Sequence, residues 1–547
     1  MEGRSSPGGR PPEVRREALS RRQSAPRTGD GIMAHEHLSD FVAELDAAGE
    51  VCRVPAEVED DELAAVAHQE ALGRRPACLV FERRPSGRLP AVTHLLATPE
   101  RLWRALGCSH AAELPERVAS LLPLPPANDW RAVWSWVPVL CSAWQSPPER
   151  TDSAVVQQVV RLGRDVDLGD FGFPRLWPDD GHGVISGGLI LVGTPREESK
   201  TAGAGTTIES PGTDERPAER SGSQPAPLIT WDVCPVLEHD VVGVPVNPHG
   251  PLAGILDEAR RRQQSVPVVI TLGGDPSLYV VAVAASAFQT DPWHLAGVVR
   301  GEPLRIAAAR TVPLDVPADA EIVLEGFIDP TRSPESIGTV TDLDGMASDA
   351  RRYARLRLTA VTYRSNPTLP LSLGIRPPNE RSCVLSAAER IWLPLVRQQL
   401  PDVTDLHFSP DARGRHVFVA VRRRSAMQVR RVCHALWGFG PTHACTLTVV
   451  LDAETELRDP NDVWNRVAAF VDWDRDVTVA RGPGSGWPGE NPGADGAADE
   501  DMAPGRIAVD ATAKPGRRAG FARRPDQALR NAAALLANLK SGTRNPP

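Results

Sequence analysis

The stretch LGGDPSLYVVAVAASAFQTDPWHLAGVVRGEPLRIAAARTVPLDVPADAEIVLEGFIDP, residues 272–330, decides the fold. It opens with a tight Gly-Gly-Asp-Pro turn directly after the apolar run VPVVITL, which predicts a buried strand. The small residues at 280–287 predict a closely packed helix. Acidic and aliphatic residues alternate at 321–325, and this alternation predicts a half-buried strand. The stretch is therefore predicted to form a strand, a helix and a further strand.

The composition limits the classes to which the protein can belong. At 547 residues the chain is long for one core, so two or three domains are expected. Hydrophobic residues make up 41% and charged residues 24%, and no run of about 18 apolar residues predicts a membrane span. The net charge of -9 argues against non-specific nucleic-acid binding. The eight cysteines form no C-x-x-C pair, which argues against a zinc site or disulfide framework and favours a cytoplasmic protein.

Three polar segments interrupt the globular sequence. Residues 1–33 predict a disordered lead, with Met1 or Met33 as the true start, and an organellar transit peptide is the alternative. Residues 195–227 and 482–505 are rich in Gly and Pro and predict disordered insertions. Helices and strands alternate elsewhere, as in the βαβα pattern after residue 416, and a last helix at 525–540 carries an apolar stripe.

Three strings resemble the UbiD-like decarboxylases, the family of 3-octaprenyl-4-hydroxybenzoate carboxy-lyase. They are GGDPSL, AGVVRGEPL and VPADAEIVLEG, and the last is the most specific because it is long and irregular. The resemblance runs from about residue 37 to residue 514, without the two insertions. It implies an α/β and α+β multidomain fold. The implied parts are an N-terminal α/β domain (34–125), a central flavin-binding split β-barrel (126–375), a C-terminal α/β oligomerisation domain (376–523) and a C-terminal helix and tail (524–547).

The resemblance also implies an activity, cofactors and partners. Members of the family bind prenylated FMN and a divalent metal, Mn²⁺ or Mg²⁺, and decarboxylate aromatic or α,β-unsaturated carboxylic acids. This chain is accordingly expected to be a carboxy-lyase and to form a homo-oligomer through its C-terminal domain. A flavin prenyltransferase is the expected supplier of its cofactor.

Four residues match, or lie beside, positions to which the family assigns chemistry. His249 matches a metal-binding histidine, and Asp291 lies beside Pro292, which occupies the position of a metal-binding glutamate. His249 and Asp291 are therefore the predicted metal-binding and cofactor-binding residues. Glu335, in SPESIGTVTDLDG, matches the first of two catalytic glutamates, and Asp342 is a candidate proton donor nearby. A plain turn is the alternative interpretation of DLDG.

Other positions depart from the family pattern. The segment PLITWDVCPV, residues 227–236, contains neither the metal-binding Asn nor the Arg that lies between the two catalytic glutamates. The second glutamate is replaced by Thr339 or Val340. The alternative function is therefore a catalytically inactive relative that acts as a partner subunit or ligand-binding protein. A third interpretation is an ordinary FMN oxidoreductase on the same barrel.

The string LWPDDGHGVISGGLILVGT, residues 176–194, resembles the start of the family's flavin-binding barrel. Gly187 and Gly188 would allow the backbone to approach a ligand closely. They would equally allow a sharp turn into a core strand, and the sequence leaves both interpretations open.

Overall fold

The computed structural model describes residues 37–73, 75–85, 88–119, 147–195, 226–285, 291–375, 377, 379–442, 445–481, 505–514 and 532. Several predicted segments lie outside these residues, apart from a few positions. They are the lead, both insertions and the helix at 525–540. The predicted fold class is confirmed: two α/β parts flank a central sheet that curls into a half-barrel.

The N-terminal part is a four-stranded sheet with helices packed against it. Its elements are α1 (Leu38–Ala47), β1 (Val51–Glu57), α2 (Asp60–Ala71), β2 (Cys78–Arg83), β3 (Ala91–Thr93), α3 (Pro99–Ala105) and α4 (Glu113–Ala119). Strands β1 and β2 are parallel because α2 forms the crossover between them. The fourth strand, β18 (Leu369–Leu371), comes from much later in the chain and pairs in parallel with β3.

The central part is built on a nine-stranded sheet. Its strands and those of two small ribbons are β4 (Glu149–Arg150), β5 (Val159–Leu162), β6 (Val184–Ile185), β7 (Gly188–Val192), β8 (Leu228–Trp231), β9 (Cys234–Glu238), β10 (Val241–Val246), β11 (Val266–Leu272), β12 (Arg305–Ala308), β13 (Asp315–Pro317), β14 (Ile322–Ile328), β15 (Val340–Thr341), β16 (Ala347–Ser348) and β17 (Arg352–Tyr363). The helices are α5 (Pro251–Arg262), α6 (Ser277–Ala284) and α7 (Pro292–Arg300). The large sheet has the order β6-β9-β10-β17-β14-β11-β7-β8, and β5 pairs with β17.

Strand β14 is buried on both faces, so the prediction of a half-buried strand is wrong. Glu321, just before the strand, is 2% exposed, and Glu325 is 0% exposed. Glu325 accepts hydrogen bonds from the backbone nitrogens of Arg310 (2.9 Å) and Thr311 (2.6 Å), and Glu321 pairs with Arg364 at 2.8 Å. Because a buried carboxylate is stable only with such partners, these acids belong to the core and not to a solvent face.

The C-terminal part is a five-stranded α/β layer that follows one long helix. Its elements are α8 (Glu380–Gln399), β19 (Val403–Phe408), β20 (His416–Val421), α9 (Ala426–Trp437), β21 (Leu447–Asp452), α10 (Pro460–Phe470), β22 (Val477–Arg481) and β23 (Gly505–Asp510). The strand order is β19-β20-β21-β23-β22. The βαβα prediction is confirmed here, and the Asp459 side chain accepts a hydrogen bond from the Asn461 backbone at the start of α10.

Helix α8 ties the three parts together through two buried carboxylates. Near its start, Glu380 accepts hydrogen bonds from the backbone nitrogen of Leu96 (3.1 Å) and from the Ser372 hydroxyl. Further along, Glu389 binds His407 (3.1 Å) and Arg458 (2.6 Å) of the C-terminal layer. The orientation of the C-terminal layer is therefore fixed by polar contacts inside the protein.

None of the helices in the described ranges is long and apolar enough to cross a membrane.

The seven described cysteines are unpaired, and six of them are buried. Burial raises the pKa of Cys78 to about 12 and that of Cys108 to about 11, so these thiols stay protonated near neutral pH.

Candidate functional site

The turn at residues 341–346 connects β15 to β16 and carries the predicted proton donor. Asp342 is 4% exposed, and its Oδ1 accepts hydrogen bonds from the backbone nitrogens of Asp344 and Met346, both at 2.9 Å. Gly374 packs so closely that a Cβ there would lie 1.9 Å from the Asp342 carbonyl oxygen. The DLDG string thus forms a turn, and that turn holds a buried carboxyl group in one position.

A partly buried ion pair lies beside this turn. Arg351 Nη2 donates a hydrogen bond to Asp232 Oδ2, and the two side chains are 12% and 26% exposed. The Arg351 guanidinium lies over the Tyr353 ring, with Cζ 5.9 Å from the ring centroid. Asp232 belongs to the segment 227–236, where the family pattern has an arginine. Here the segment supplies a carboxylate, and the arginine is the residue directly before β17.

Three buried polar atoms here have no hydrogen-bond partner in the described part of the chain: Arg351 Nη1, Tyr353 Oη and Asp180 Oδ2. Asp180 reaches the same turn, because its Oδ1 accepts a hydrogen bond from the Thr341 backbone at 2.8 Å. An unpaired buried polar atom costs about 1–3 kcal/mol, so these atoms indicate a place where a polar ligand or water completes the structure. The aspartate–arginine cluster is defined here as Asp180, Asp232, Asp342, Arg351 and Tyr353.

Burial controls protonation in this cluster. It raises the pKa of Asp342, against the Met346 backbone hydrogen bond, which lowers it. Burial alone would lower the pKa of Arg351, but the Asp232 carboxylate raises it, so the guanidinium stays charged. Burial also raises the pKa of the Tyr353 hydroxyl, which therefore stays protonated. The cluster combines a fixed cation, a phenol and a carboxyl group that keeps its proton to higher pH than usual.

The C-terminal part contacts the turn as well. The Asp344 carboxylate pairs with Arg381 Nε at 3.2 Å, and the Arg413 side chain contacts Met346. Burial raises the pKa of Asp344, although Arg381 opposes this. A cleft of about 560 Å³ opens beside Arg413, within the size range of small-molecule sites. The cleft is lined by residues that include Ser409, Asp411, Arg413, His416, Phe418 and Trp464.

Glu335 lies next to the cluster, but its carboxylate is used elsewhere. Its backbone nitrogen donates to the Tyr353 carbonyl oxygen at 3.0 Å. Its side chain is 52% exposed and pairs with Arg355 at 3.2 Å, and Arg355 also pairs with Glu238. Glu335 is therefore part of a surface ion-pair group, and its catalytic role stays a prediction.

His249 and Asp291 lie in separate turns. The side chain of His249 is exposed before α5, and its backbone nitrogen donates to Asn247 Oδ1 at 3.0 Å. The Asp291 carboxylate caps α7 by accepting a hydrogen bond from the Trp293 backbone at 3.4 Å, and burial raises its pKa. Among the described residues, no hydrogen bond or ion pair joins either side chain to the other or to the aspartate–arginine cluster.

The metal prediction gains no support from this arrangement. Within the ranges that the structure describes, no group of three or more His, Cys, Asp or Glu side chains is placed to hold a metal ion. One imidazole and one carboxylate are too few for Mg²⁺, which takes about six ligands, mostly oxygen. A metal held by His249 and Asp291 stays a prediction, and no chemical step is assigned to it.

The glycines at the start of β7 serve packing inside the protein. A Cβ on Gly187 would lie 2.4 Å from the Pro370 carbonyl oxygen. A Cβ on Gly188 would lie 2.8 Å from Ile185 Cγ2 and 2.9 Å from Ile270 Cγ2. Of the two interpretations open from the sequence, the turn into a core strand fits these contacts.

Sequence reasoning missed Asp232, Arg351 and Tyr353. One signal was present: the alternation in β17 places Tyr353 and Arg355 on one side of the strand, and Arg351 directly precedes it. The meeting of Arg351 with Asp232 spans 119 positions and depends on the order of β9, β10 and β17, which residue spacing does not specify.

Solved structures share this architecture. The chain covers 98% of HmfF from Pelotomaculum thermopropionicum, in a complex with prFMN, at 21% identity and a TM-score of 0.67 over 90% of its own length. It covers all of the closed form of vanillic acid decarboxylase from Sedimentibacter hydroxybenzoicus at 20% identity and a TM-score of 0.74 over 94% of its own length. It covers all of the 3,4-dihydroxybenzoic acid decarboxylase of Enterobacter cloacae at 16% identity and a TM-score of 0.68 over 91% of its own length.

Three family models match in order along the sequence. The 3-octaprenyl-4-hydroxybenzoate carboxy-lyase N-terminal domain matches residues 42–121, its Rift-related domain matches 234–377 and its C-terminal domain matches 382–495. Together they span more than half of the 547 residues, and the strings GGDPSL and VPADAEIVLEG lie within the second match. The chain therefore belongs to the UbiD family of 3-octaprenyl-4-hydroxybenzoate carboxy-lyase.

Proposed function

We propose that the protein is a carboxy-lyase that removes CO₂ non-oxidatively from an aromatic or α,β-unsaturated carboxylic acid, with prenylated FMN as its cofactor. The observation that carries this proposal is the aspartate–arginine cluster, where a charged guanidinium lies beside a buried carboxyl group of raised pKa. Related structures support the cofactor and the substrate class, since HmfF was solved with prFMN and with FMN and other relatives are decarboxylases of aromatic acids.

The proposed chemistry needs a sink for electrons and a donor of one proton. Prenylated flavin, when bound, supplies the sink. Asp342 is the proposed donor to the carbon that has lost CO₂, because its raised pKa keeps the carboxyl group protonated closer to working pH. A C–H bond replaces the C–C bond, and water returns the proton to Asp342. The orphaned polar atoms of Arg351 and Tyr353 fit a polar group bound at this place.

Co-expression with a flavin prenyltransferase and anaerobic purification test the proposal. The visible spectrum reports bound flavin, and a panel of aromatic and α,β-unsaturated acids reports turnover. Asp342→Asn is expected to reduce turnover by about 10²-fold or more while the flavin spectrum persists. The matched control is Asp257→Asn, because Asp257 is 60% exposed on the surface of α5. A folded, colourless wild-type protein without turnover would remove the decarboxylase proposal.

An inactive relative that binds a ligand is the second candidate. It is favoured by Asp232, a carboxylate in the segment where the family pattern has its arginine. It predicts bound flavin or bound acid without turnover. Bound unmodified FMN that a nicotinamide reduces would instead indicate an oxidoreductase.

Two further predictions belong to the same proposal. A homo-oligomer through the C-terminal part is supported by Val479 and Ile507, opposite one another on β22 and β23 and 65% and 41% exposed. Size-exclusion chromatography with light scattering of wild type and Val479→Asp tests it.

Measuring bound Mn and Mg in wild type and in His249→Ala decides whether His249 holds a metal.

A further inference from the structure

We infer that Arg351 and Tyr353 bind the carboxylate group of the substrate, and that Asp232 positions Arg351 for this task. The inference rests on the proposed function, because it concerns the substrate of that reaction. It assigns recognition to two residues that the family pattern in the sequence did not indicate.

The geometry of the guanidinium supports this role. A guanidinium binds carboxylates with parallel N–H donors, and Arg351 uses Nη2 on Asp232. Its other terminal nitrogen, Nη1, is buried and has no partner in the described residues. The Tyr353 hydroxyl is also buried without a partner, and the guanidinium stacks on the ring of this same tyrosine. Arg351 and Tyr353 thus each keep one unused hydrogen-bond donor. Two such donors match the two oxygen atoms of a carboxylate.

The ion pair itself is only partly buried. The Asp232 and Arg351 side chains are 26% and 12% exposed, whereas Tyr353 is 0% exposed. The ion pair is therefore in part reached by solvent, and Tyr353 is fully buried behind the Arg351 guanidinium that lies over its ring. Asp232 holds the guanidinium through its hydrogen bond and limits its rotamer freedom, so less entropy is lost when an anion binds.

The charge balance at the turn depends on whether the buried aspartates carry protons. The groups that contribute are Arg351, Arg381 and Arg413 on the positive side, and Asp180, Asp232, Asp342 and Asp344 on the acidic side. Asp232 and Asp344 each face an arginine directly. When Asp342 and Asp180 carry protons, three arginines face two carboxylates, and this balance favours an incoming carboxylate. When both are ionised, four carboxylates face the three arginines and oppose it, so carboxylate binding should tighten as pH falls.

A structural ion pair is the competing explanation. Such a pair would hold β9 and β17 together and would have no preference for ligands. It would leave Arg351 Nη1 unsatisfied, at a cost of about 1–3 kcal/mol. The two explanations differ in one measurable property, the affinity of the protein for a carboxylate over its neutral amide.

Isothermal titration calorimetry of the purified full-length protein with cinnamate and cinnamamide tests the inference. Wild type is expected to bind cinnamate more tightly than cinnamamide. Arg351→Gln should weaken cinnamate binding at least tenfold, about 1.4 kcal/mol. Tyr353→Phe should weaken it about fivefold, and the amide affinity should stay unchanged in both variants. The matched control is Arg355→Gln, four positions after Arg351 and two after Tyr353, which should stay within about twofold of wild type.

Several outcomes would overturn the inference: no cinnamate binding by wild type, equal affinity in Arg351→Gln, or an equal loss in Arg355→Gln. Loss of flavin absorbance in Arg351→Gln with cinnamate affinity intact would assign these atoms to the cofactor. If Arg351→Gln does not fold, Tyr353→Phe and the double variant Asp232→Asn/Arg351→Gln decide the question.

Turnover separates the proposed function from the inference about Arg351 and Tyr353. Cinnamate bound through Arg351 by a protein that decarboxylates no acid of the panel refutes only the function, whereas decarboxylation with unchanged cinnamate affinity in Arg351→Gln refutes only the inference.

Discussion

Replacing Gly374 by alanine should disturb the site without touching any of its functional groups. Gly374 packs on the back of the turn that carries Asp342. A Cβ at this position would lie 1.9 Å from the Asp342 carbonyl oxygen and 2.8 Å from the Gly345 nitrogen. Both neighbours are backbone atoms and cannot turn away as a side chain can. The methyl group must therefore push the whole turn outward.

The expected size of the effect follows from these distances. Ordinary van der Waals contact begins near 3.4 Å, so the turn has to move by about 1.5 Å. Overpacking of this kind costs about 1–3 kcal/mol of stability. A displacement of about 1 Å at a reacting group can cost about 10²-fold in rate. Gly374→Ala should thus lower both the urea midpoint and decarboxylation, and the activity loss should exceed what unfolding alone explains.

The assay compares Gly374→Ala with Gly254→Ala by urea denaturation and by turnover on the same acid. Gly254 lies in α5, and a Cβ there meets nothing within 4 Å. Its replacement should raise stability by about 0.5–1 kcal/mol and leave turnover unchanged. A Gly374→Ala protein with wild-type midpoint and wild-type turnover would refute the close packing of this turn and its role in holding Asp342.

Three other predictions concern charge and capping. Burial raises the pKa of Asp342 above its ordinary 3.8, so its protonated form adds stability that is full below that pH and is lost as pH rises through the native value. The melting temperature of Asp342→Asn minus that of wild type should therefore increase from about pH 4 to about pH 7. A difference that stays constant over this range would contradict the prediction. Glu389→Gln should cost about 3 kcal/mol, because Arg458 loses a fully buried partner, whereas Asp405→Asn, at a 29% exposed carboxylate, should cost about 1 kcal/mol or less in the same urea titration. Thr98→Ala should lower the urea midpoint by the equivalent of about 1 kcal/mol, because the Thr98 side chain caps α3, and an unchanged midpoint would argue against the cap.

Local patterns in the sequence specified much of the secondary structure. The alternation of Leu356, Leu358 and Ala360 is typical of a strand, and these three residues lie buried in β17. Helix α6, at Ser277–Ala284, begins three residues earlier than the small-residue run 280–287 predicts, and residues 286 and 287 of that run lie outside the described residues. Turn residues such as Pro276 open a helix earlier than the apolar run alone indicates.

Contacts between distant residues were beyond this reasoning. Spacing alone could not show that Glu321 and Glu325 would be enclosed on both sides, because their partners come from loops: Arg310 lies between β12 and β13, and Arg364 directly follows β17. The same holds for Asp232, whose partner Arg351 lies 119 positions away. The residue types were visible in the sequence, but their meeting depends on strand order, and only the fold supplies that.

Strand β18 has a consequence for how the protein is made. It closes the edge of the first sheet with residues that follow β3 by more than 250 positions. Until residue 371 has left the ribosome, β3 presents unpaired amides and carbonyls that can pair with another nascent copy. At about 5–20 residues per second this exposure lasts on the order of tens of seconds. A fragment that ends near residue 121 would keep that bare edge permanently, so it should aggregate when expressed alone and become soluble when a peptide carrying Leu369–Leu371 is supplied.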